Sequence, residues 1–346
     1  MAARRVTLRD IARLAEVHPG TASRALSDDE KLKKLVNPET AARVQRIAKE
    51  MNYNPDPAAR SLKTRRSHSV GVLIPDITNP LFPPIIRGIE DCLGGNGFVV
   101  LLGNTDDDSK RERMLLDGML SRRVDAMILA TAKRDHDVVV DIVAQDLPVV
   151  LVNRVLDNHA IPSVATDDMA GIRMAVNHLI SLGHTKIAHL AGPQEFSTGA
   201  NRIKSFYLTM NAAGIEVEPN MVSYAESFSQ AEGAKRCREL MAAFPDVTAI
   251  VAANDMLAIG CYQAFEESGI RCPEDISIVG FNDAPFSDKI SPPLTSITFP
   301  HYQVGFEAAN LAVERIHNPN SATKVLFLPP ELVVRKSTTA VSVKLK

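Results

Sequence analysis

From residue 69 to residue 283 the chain repeats one pattern, a short apolar run followed by a stretch of helical spacing. The runs are SVGVLI, FVVLLGN, AMILA, PVVLVN, KIAHLAG, TAIVAAND and DISIVGFND. Brief apolar runs bounded by turn signals, with helical segments between them, are βα units that feed buried parallel sheets. There are more of them than one small sheet needs, so the pattern predicts an α/β core of two lobes. The segment SVATDD (163–168) marks the crossing from the first lobe to the second, and LTSITF and TKVLFLPPELVVR mark a return. The expected core covers 67–340, with lobe 1 over 67–166 plus 296–325 and lobe 2 over 167–295 plus 326–340.

The first 66 residues are different in kind. They carry 15 Lys and Arg against 8 Asp and Glu, whereas the remaining 280 carry 24 against 33. A basic module can neutralise phosphates and release counterions, while an acidic body is repelled by nucleic acid. At 346 residues, 45% hydrophobic and 23% charged, the composition is that of a soluble globular protein with more than one domain. No run of apolar residues is long enough to span a bilayer and no secretory leader is evident, so the expected location is the cytoplasm. Cys92, Cys237, Cys261 and Cys272 show no zinc-ligand spacing and are expected as free thiols, with no metal. Neither a G-x-G-x-x-G nor a P-loop pattern occurs, so no nucleotide cofactor is expected.

In the basic module, VTLRDIARLAEV places Leu8, Ile11, Ala12 and Ala15 on one helical face, with Thr7 and Asp10 spaced as a capping box. His18 stands as a cap for a second short helix that has Pro19 at its first position and Ala22, Ala25 and Leu26 on its inner face. Asn37-Pro38-Glu39 announces a third helix, with Ala41, Val44, Ile47, Ala48 and Met51 inward. Two short helices about four residues apart are the requirement for a helix-turn-helix, whose second helix enters a major groove.

VTLRDIARLAEV-HPGTASRAL and NPETAARVQRIAKEMNYNPDPAARSLKT resemble the DNA-binding headpiece of the lactose and galactose repressor (LacI/GalR) family, and the resemblance extends over nearly the whole chain. It implies an N-terminal all-α helix-turn-helix headpiece (1–53), a hinge helix and linker (54–66), and a two-lobed, periplasmic-binding-protein-like core. It also implies a repressor on a pseudo-palindromic double-stranded operator. Position by position it assigns DNA contacts to Thr7, His18, Pro19, Gly20, Thr21, Ser23 and Arg24 in the headpiece. In the hinge it assigns them to Asn54, Ala59, Arg60, Leu62 and Lys63, Leu62 being the leucine that wedges into the minor groove. Pro19 and Gly20 carry no side-chain donor or acceptor, so readout there falls to thymine methyl contacts and close backbone approach. The connection at 28–35 is extended, and its Lys31, Lys33 and Lys34 either add phosphate contacts or form a solvated loop.

For the core the resemblance implies an effector between the lobes near the carboxyl ends of the strands, which is where open α/β sheets bind ligands. Asn79, Phe82, Asn153, Arg202, Phe228, Asn254, Asn282 and His301 are the residues it places there, His301 at the mouth, where a surface helix cap is the equal alternative. Phe82 and Phe228 are to pack on the ligand and Arg202 to grip it with a fork of donors. Asn153 and Asn282 stand where relatives of this type often have Asp, which leaves Arg202 less compensated; a sugar or sugar acid is the expected effector. A secreted solute receptor shares such a core but would need an export signal and no headpiece. An enzyme would need chemistry from Asp167, Asp168, Asp255 and Asp283, which lack an attendant nucleophile or metal set. Headpiece and hinge act in pairs, so a homodimer is expected, and VRKSTTAVSVKLK has no sustained heptad to support a tetramerising coiled coil.

Overall fold

The computed structural model describes residues 6–27, 30–53, 66–157 and 160–341. The chain divides into two compact units, Met1–Ser67 and His68–Lys346.

In the first unit, helix α1 (Leu8–Leu14) starts on a reciprocal pair. The Asp10 N–H donates to Thr7 Oγ1 at 3.3 Å and the Thr7 N–H donates to Asp10 Oδ2 at 3.0 Å, so aspartate closes the capping box that Glu or Gln usually closes. The helix stops at Glu16, whose φ of 51° lets the Val17 N–H return to the Ala12 carbonyl at 2.9 Å. Helix α2 (Pro19–Ala25) is capped by His18, and α4 (Pro38–Glu50) by Asn37, whose Oδ1 accepts the Glu39 N–H at 2.9 Å. Between them lies a single helical turn, α3 (Glu30–Lys33), so the extended connection is partly helical rather than a plain loop. Ile11, Ala12, Ala15, Ala22, Ala25, Val44 and Ala48 close a core of mostly small side chains. Met51, expected inward, caps the end of α4 and is exposed.

The second unit contains two six-stranded sheets. The first has the order β11-β5-β4-β3-β1-β2, from Ser69–Ile74 (β1), Val99–Asn104 (β2), Ala126–Leu129 (β3), Val149–Val152 (β4), Ser163–Thr166 (β5) and Val325–Leu328 (β11), all parallel. The second has the order β12-β10-β9-β8-β6-β7, from Ile187–Ala191 (β6), Val222–Tyr224 (β7), Ala249–Ala252 (β8), Ser277–Phe281 (β9), Thr295–Thr298 (β10) and Glu331–Val333 (β12). Among the described strands only β12 runs antiparallel, against β10. The helices are α5 (Phe82–Gly95), α6 (Ser109–Ser121), α7 (Asp137–Val143), α8 (Asp168–Ser181), α9 (Ser197–Ala212), α10 (Gln230–Ala243), α11 (Asp255–Ser268) and α12 (His301–His317).

The lobe boundaries differ from those expected at two places. Strand β10 stays in the second sheet and β11 joins the first, so the chain crosses at 299–300 and again at Pro329-Pro330 rather than near 296 and 326. Proline lacks an amide donor and cannot extend the β11 ladder, which fixes the second crossing. Both sheets place their first strand between the second and third, so each has a point of reversal whose carboxyl-end crevice is open to a ligand. Among the described residues no helix is long and apolar enough to cross a membrane, and the four cysteines are free thiols.

Candidate nucleic-acid interface and inter-lobe cavity

On the first unit, the start of α2 is built from three residues that require one another. His18 Nδ1 accepts the Gly20 N–H at 3.1 Å, Pro19 occupies the position where no amide is needed, and a Cβ on residue 20 would lie 3.2 Å from the imidazole. The edge of α2 is therefore low and nearly free of side chains, with Pro19 and Arg24 exposed and Thr21 and Ser23 half-buried beside them. Ala22 and Ala25 fasten the opposite face, and Gln45 Nε2 donates to the Ala25 carbonyl at 3.2 Å to tie α2 to α4. Asn54, Ala59, Arg60, Leu62 and Lys63 lie outside the described residues.

In the second unit, loops at the carboxyl ends of β1, β2, β4, β6, β7, β8 and β9 enclose a cavity of about 430 Å³. Asn79, Phe82, Asn153, Arg202, Phe228, Asn254 and Asn282 all line it. His301 does not. It opens α12 immediately after Pro300, its ring packs on Phe299 with centroids 4.2 Å apart, and burial pushes its imidazole down to about 4. Phe82 belongs to the core as much as to the cavity: it is 2% exposed and packs in the cluster that contains Ile85 and Ile89.

Arg202 departs from expectation in a way that alters the chemistry. Its Nε and Nη2 both lie 2.7 Å from Asp168 Oδ1, its Nη1 donates to the Ala253 carbonyl at 2.5 Å, and its plane lies 3.7 Å from the Phe281 ring centre. The fork is thus engaged inside the protein and its charge is compensated by Asp168. Burial nevertheless outweighs the attraction of Arg202 and lifts the Asp168 carboxyl to about 6. The other carboxylates considered for acid–base work are similarly committed. Asp167 caps α8 by accepting the Ala170 N–H at 2.9 Å, and Asp283 pairs with Arg335 at 2.6 Å. Asp255, lifted to about 6 by burial, accepts from Ser296 Oγ and the Ala284 N–H, both at 2.6 Å, and from Ser287 Oγ at 3.2 Å.

Several lining residues were not anticipated. Asp106 and Asp107 follow β2, Arg154 follows Asn153, and Thr198 lies in the first turn of α9. No local pattern marks them, because their convergence depends on which strands pair. Asn153 and Asn282 occupy matching places after β4 and β9, both with positive φ, 66° and 109°. Among the described residues eight buried side-chain polar atoms have no hydrogen-bond partner, and four belong to this lining: Asn153 Oδ1, Arg154 Nε, Thr198 Oγ1 and Asn282 Oδ1. Buried polar groups are otherwise almost always paired, so unmet hydrogen-bonding capacity is concentrated in the residues of this lining.

Residues 7–56 match the bacterial regulatory proteins of the lacI family, and residues 176–338 match a periplasmic binding protein-like domain. The HTH-type transcriptional repressor CytR of Escherichia coli K12 is 30% identical over 334 residues, covering 96% of both chains. The chain belongs to the LacI family. The ribose operon repressor of Halalkalibacterium halodurans is 33% identical over 96% of this chain and 97% of its own. Among solved LacI-family structures, the regulator CelR in complex with cellobiose superposes with a TM-score of 0.74 at 30% identity, covering 96% of this chain and all of the other. The lac repressor dimer bound to operator and an anti-inducer gives 0.85 at 26% identity, covering 97% of this chain and all of the other. As a LacI-family member the chain is a DNA-binding transcriptional regulator with an N-terminal helix-turn-helix and a two-sheet α/β core.

Proposed function

We propose that this chain is a cytoplasmic repressor which reads a pseudo-palindromic operator as a homodimer and whose hold on DNA is set by a neutral, polyhydroxylated effector in the inter-lobe cavity. The observation that carries the effector is the set of four buried, unpartnered polar atoms, two from each lobe, on residues that line one cavity. Two of them are amide oxygens, which accept, so the guest must present donors. Hydroxyl groups serve both roles. The charge balance favours a neutral sugar over a sugar acid, because Arg202 is paired with Asp168, Arg154 with Asp107 and Asp106 with Arg111, while Asp76 adds negative charge to the lining. Relatives in complex with cellobiose, and one from Enterococcus faecium with bound ribose at 32% identity and a TM-score of 0.70 over 79% of this chain, support the same ligand class.

On the DNA side, Thr7, His18, Pro19, Gly20, Thr21, Ser23 and Arg24 form the reading surface, and residues 54–66 link it to the sensor. Arg24 carries the main base-edge donors, since Pro19 and Gly20 offer none. In this reading Leu62 wedges the minor groove at the operator centre. The chain acts by binding, without turnover of its ligand. The test is a thermal-shift panel of D-ribose, D-glucose, cellobiose and D-gluconate, followed by titration of an operator selected from random DNA with and without the stabilising compound. A neutral sugar that stabilises the chain and changes operator affinity supports the proposal. Stabilisation by gluconate alone would overturn the neutral-ligand reading.

A further inference from the structure

The segment 336–341, which follows β12, lies across the amino ends of β6, β8, β9 and β10, at the pole of lobe 2 opposite the inter-lobe cavity. Its backbone is held at intervals: the Lys336 N–H donates to the Pro293 carbonyl at 3.0 Å, the Ile278 N–H to the Ser337 carbonyl at 2.8 Å and the Val341 N–H to the Leu182 carbonyl at 3.0 Å. Between these points side chains supply the grip. Ser337 Oγ donates to the Ile278 carbonyl at 2.7 Å and accepts the Thr295 N–H at 2.8 Å, and the Thr339 N–H donates to Ser277 Oγ at 3.1 Å.

Two imidazoles complete the attachment. His178, in the last turn of α8, has Nε2 2.9 Å from Thr338 Oγ1. His184, only 2% exposed, has Nε2 3.0 Å from the Thr339 carbonyl oxygen and Nδ1 2.9 Å from Thr248 Oγ1. A carbonyl oxygen only accepts, so Nε2 carries the hydrogen and the neutral ring accepts from Thr248 at Nδ1. A second proton at Nδ1 would break no bond outright, because Thr248 Oγ1 can turn its hydrogen to the Lys186 carbonyl at 3.3 Å. The cost of charging this ring is therefore its burial. Burial pushes both imidazoles down from their ordinary value, and His184 pushes His178 down further. The charged groups around His184 do not reverse this. Asp246, Glu274 and Asp275 line the same cavity of about 420 Å³ as His184, Thr339 and Val341, with Asp275 held by Arg271 at 2.8 Å, and the Lys186 ammonium lies 5.8 Å from the Phe244 ring centre.

We propose that 336–341 is an acid-released strap: protonation of His178 and His184 sets two positive charges beneath it, and its detachment hydrates both rings and opens the cavity that Thr339 and Val341 help to wall. In the detached state both rings return to about 6.5. Attachment is complete above about 6.5 and weakens as pH falls, since the detached state binds the protons first. The strap directly follows β12, the strand that receives the crossing at Pro329-Pro330, so its release also loosens the end of that crossing.

The experiment is hydrogen exchange of the full chain at about pH 7.5 and about pH 5.5, corrected for the intrinsic rate at each pH. It compares the peptide holding 336–341 with the peptide holding β8 in the same sample, for the wild type, His178→Gln and the double variant His178→Gln with His184→Gln. In the wild type the opening of the strap is expected to rise about tenfold from the higher to the lower pH while β8 stays protected. The rise is smaller in His178→Gln and falls below about twofold in the double variant. Strap and β8 rising together in the wild type would mean a general loosening in acid and would overturn the proposal, as would a strap that does not respond to pH. A rise in His178→Gln as large as that of the wild type overturns the role of the histidine pair, and this variant decides the matter by itself if the double variant does not fold, because residue 178 is only half-buried.

Discussion

At the scale of single residues, the interior of the core is set by how buried charges are settled. Arg202 is the clearest case, because its sequence neighbours suggest an undercompensated cation, whereas Asp168, 34 positions earlier, takes two of its nitrogens. No local signal reveals that pairing, since it depends on α8 and α9 packing side by side. His189 leads to a prediction. It lies buried on β6, stacked on Phe206 with centroids 4.9 Å apart and with Nδ1 2.8 Å from the Val251 carbonyl oxygen, and burial pushes it down to about 4. In the unfolded chain the imidazole returns to about 6.5, so as pH falls the unfolded state binds the proton first. Its stabilising effect is complete above about 6.5 and drains away between there and about 4. Asp168 and Asp255 act in the opposite sense. With carboxyls raised to about 6, the folded state binds their protons first and regains stability as pH falls from about 6 towards 4. His189→Gln removes one titrating group and leaves the carboxylates, so between pH 7.5 and 5 it should lose about 2 kcal/mol less stability than the wild type. Urea midpoints at the two pH values measure this, and equal losses would mean that His189 is not neutral by burial.

Elements are most legible where their signals are local. Thr7 with Asp10, His18 with Pro19, and Asn37 with Pro38 each declare a helix start within four residues, and each start is where it was expected. The cleft lining came through less completely: resemblance located seven of its residues, but the positive φ at Asn153, after which Arg154 also joins the lining, is a backbone event with no pattern of its own. Of the two readings open for His301, mouth residue or helix cap, the structure has it opening α12 outside the cavity lining, because motif position says nothing of where a ring turns once Pro300 has started a helix. Glycines in helices are similarly silent, and here they decide the packing. A Cβ at Gly88 would lie 2.1 Å from the Tyr302 carbonyl oxygen, and one at Gly305 only 1.9 Å from that of Ile85, so α5 and α12 meet backbone to backbone. Gly305→Ala must force them apart and is expected to cost about 2–3 kcal/mol. Gly118 on α6 meets nothing nearer than Arg122 Nη1 at 3.5 Å, the end of a flexible side chain. Gly118→Ala should therefore stabilise, by about 0.5–1 kcal/mol, through helix propensity and a smaller unfolded-state entropy. Urea unfolding of both variants separates the two effects; a neutral Gly305→Ala would contradict the close approach.

For the molecule as a whole, the division between a basic reader and an acidic sensor has a thermodynamic consequence that needs no knowledge of how the units are arranged. Residues 1–66 carry 15 Lys and Arg against 8 Asp and Glu and the rest carry 24 against 33, so salt-dependent attraction to phosphate resides in the first unit and ligand chemistry in the second. If the cavity ligand regulates DNA binding, the two affinities are linked by one coupling free energy. The factor by which saturating ligand changes operator affinity must then equal the factor by which saturating operator changes ligand affinity. Factors of roughly 5 to 150 are typical of such coupling. The measurement is a pair of titrations at one salt concentration, because operator affinity varies steeply with salt while the ratio taken at fixed salt does not carry that variation. Equal factors above about fivefold establish that the cavity controls the reader. A ratio of one in both titrations would leave a ligand that binds without regulating, since a guest with equal affinity for both states shifts neither however tightly it binds.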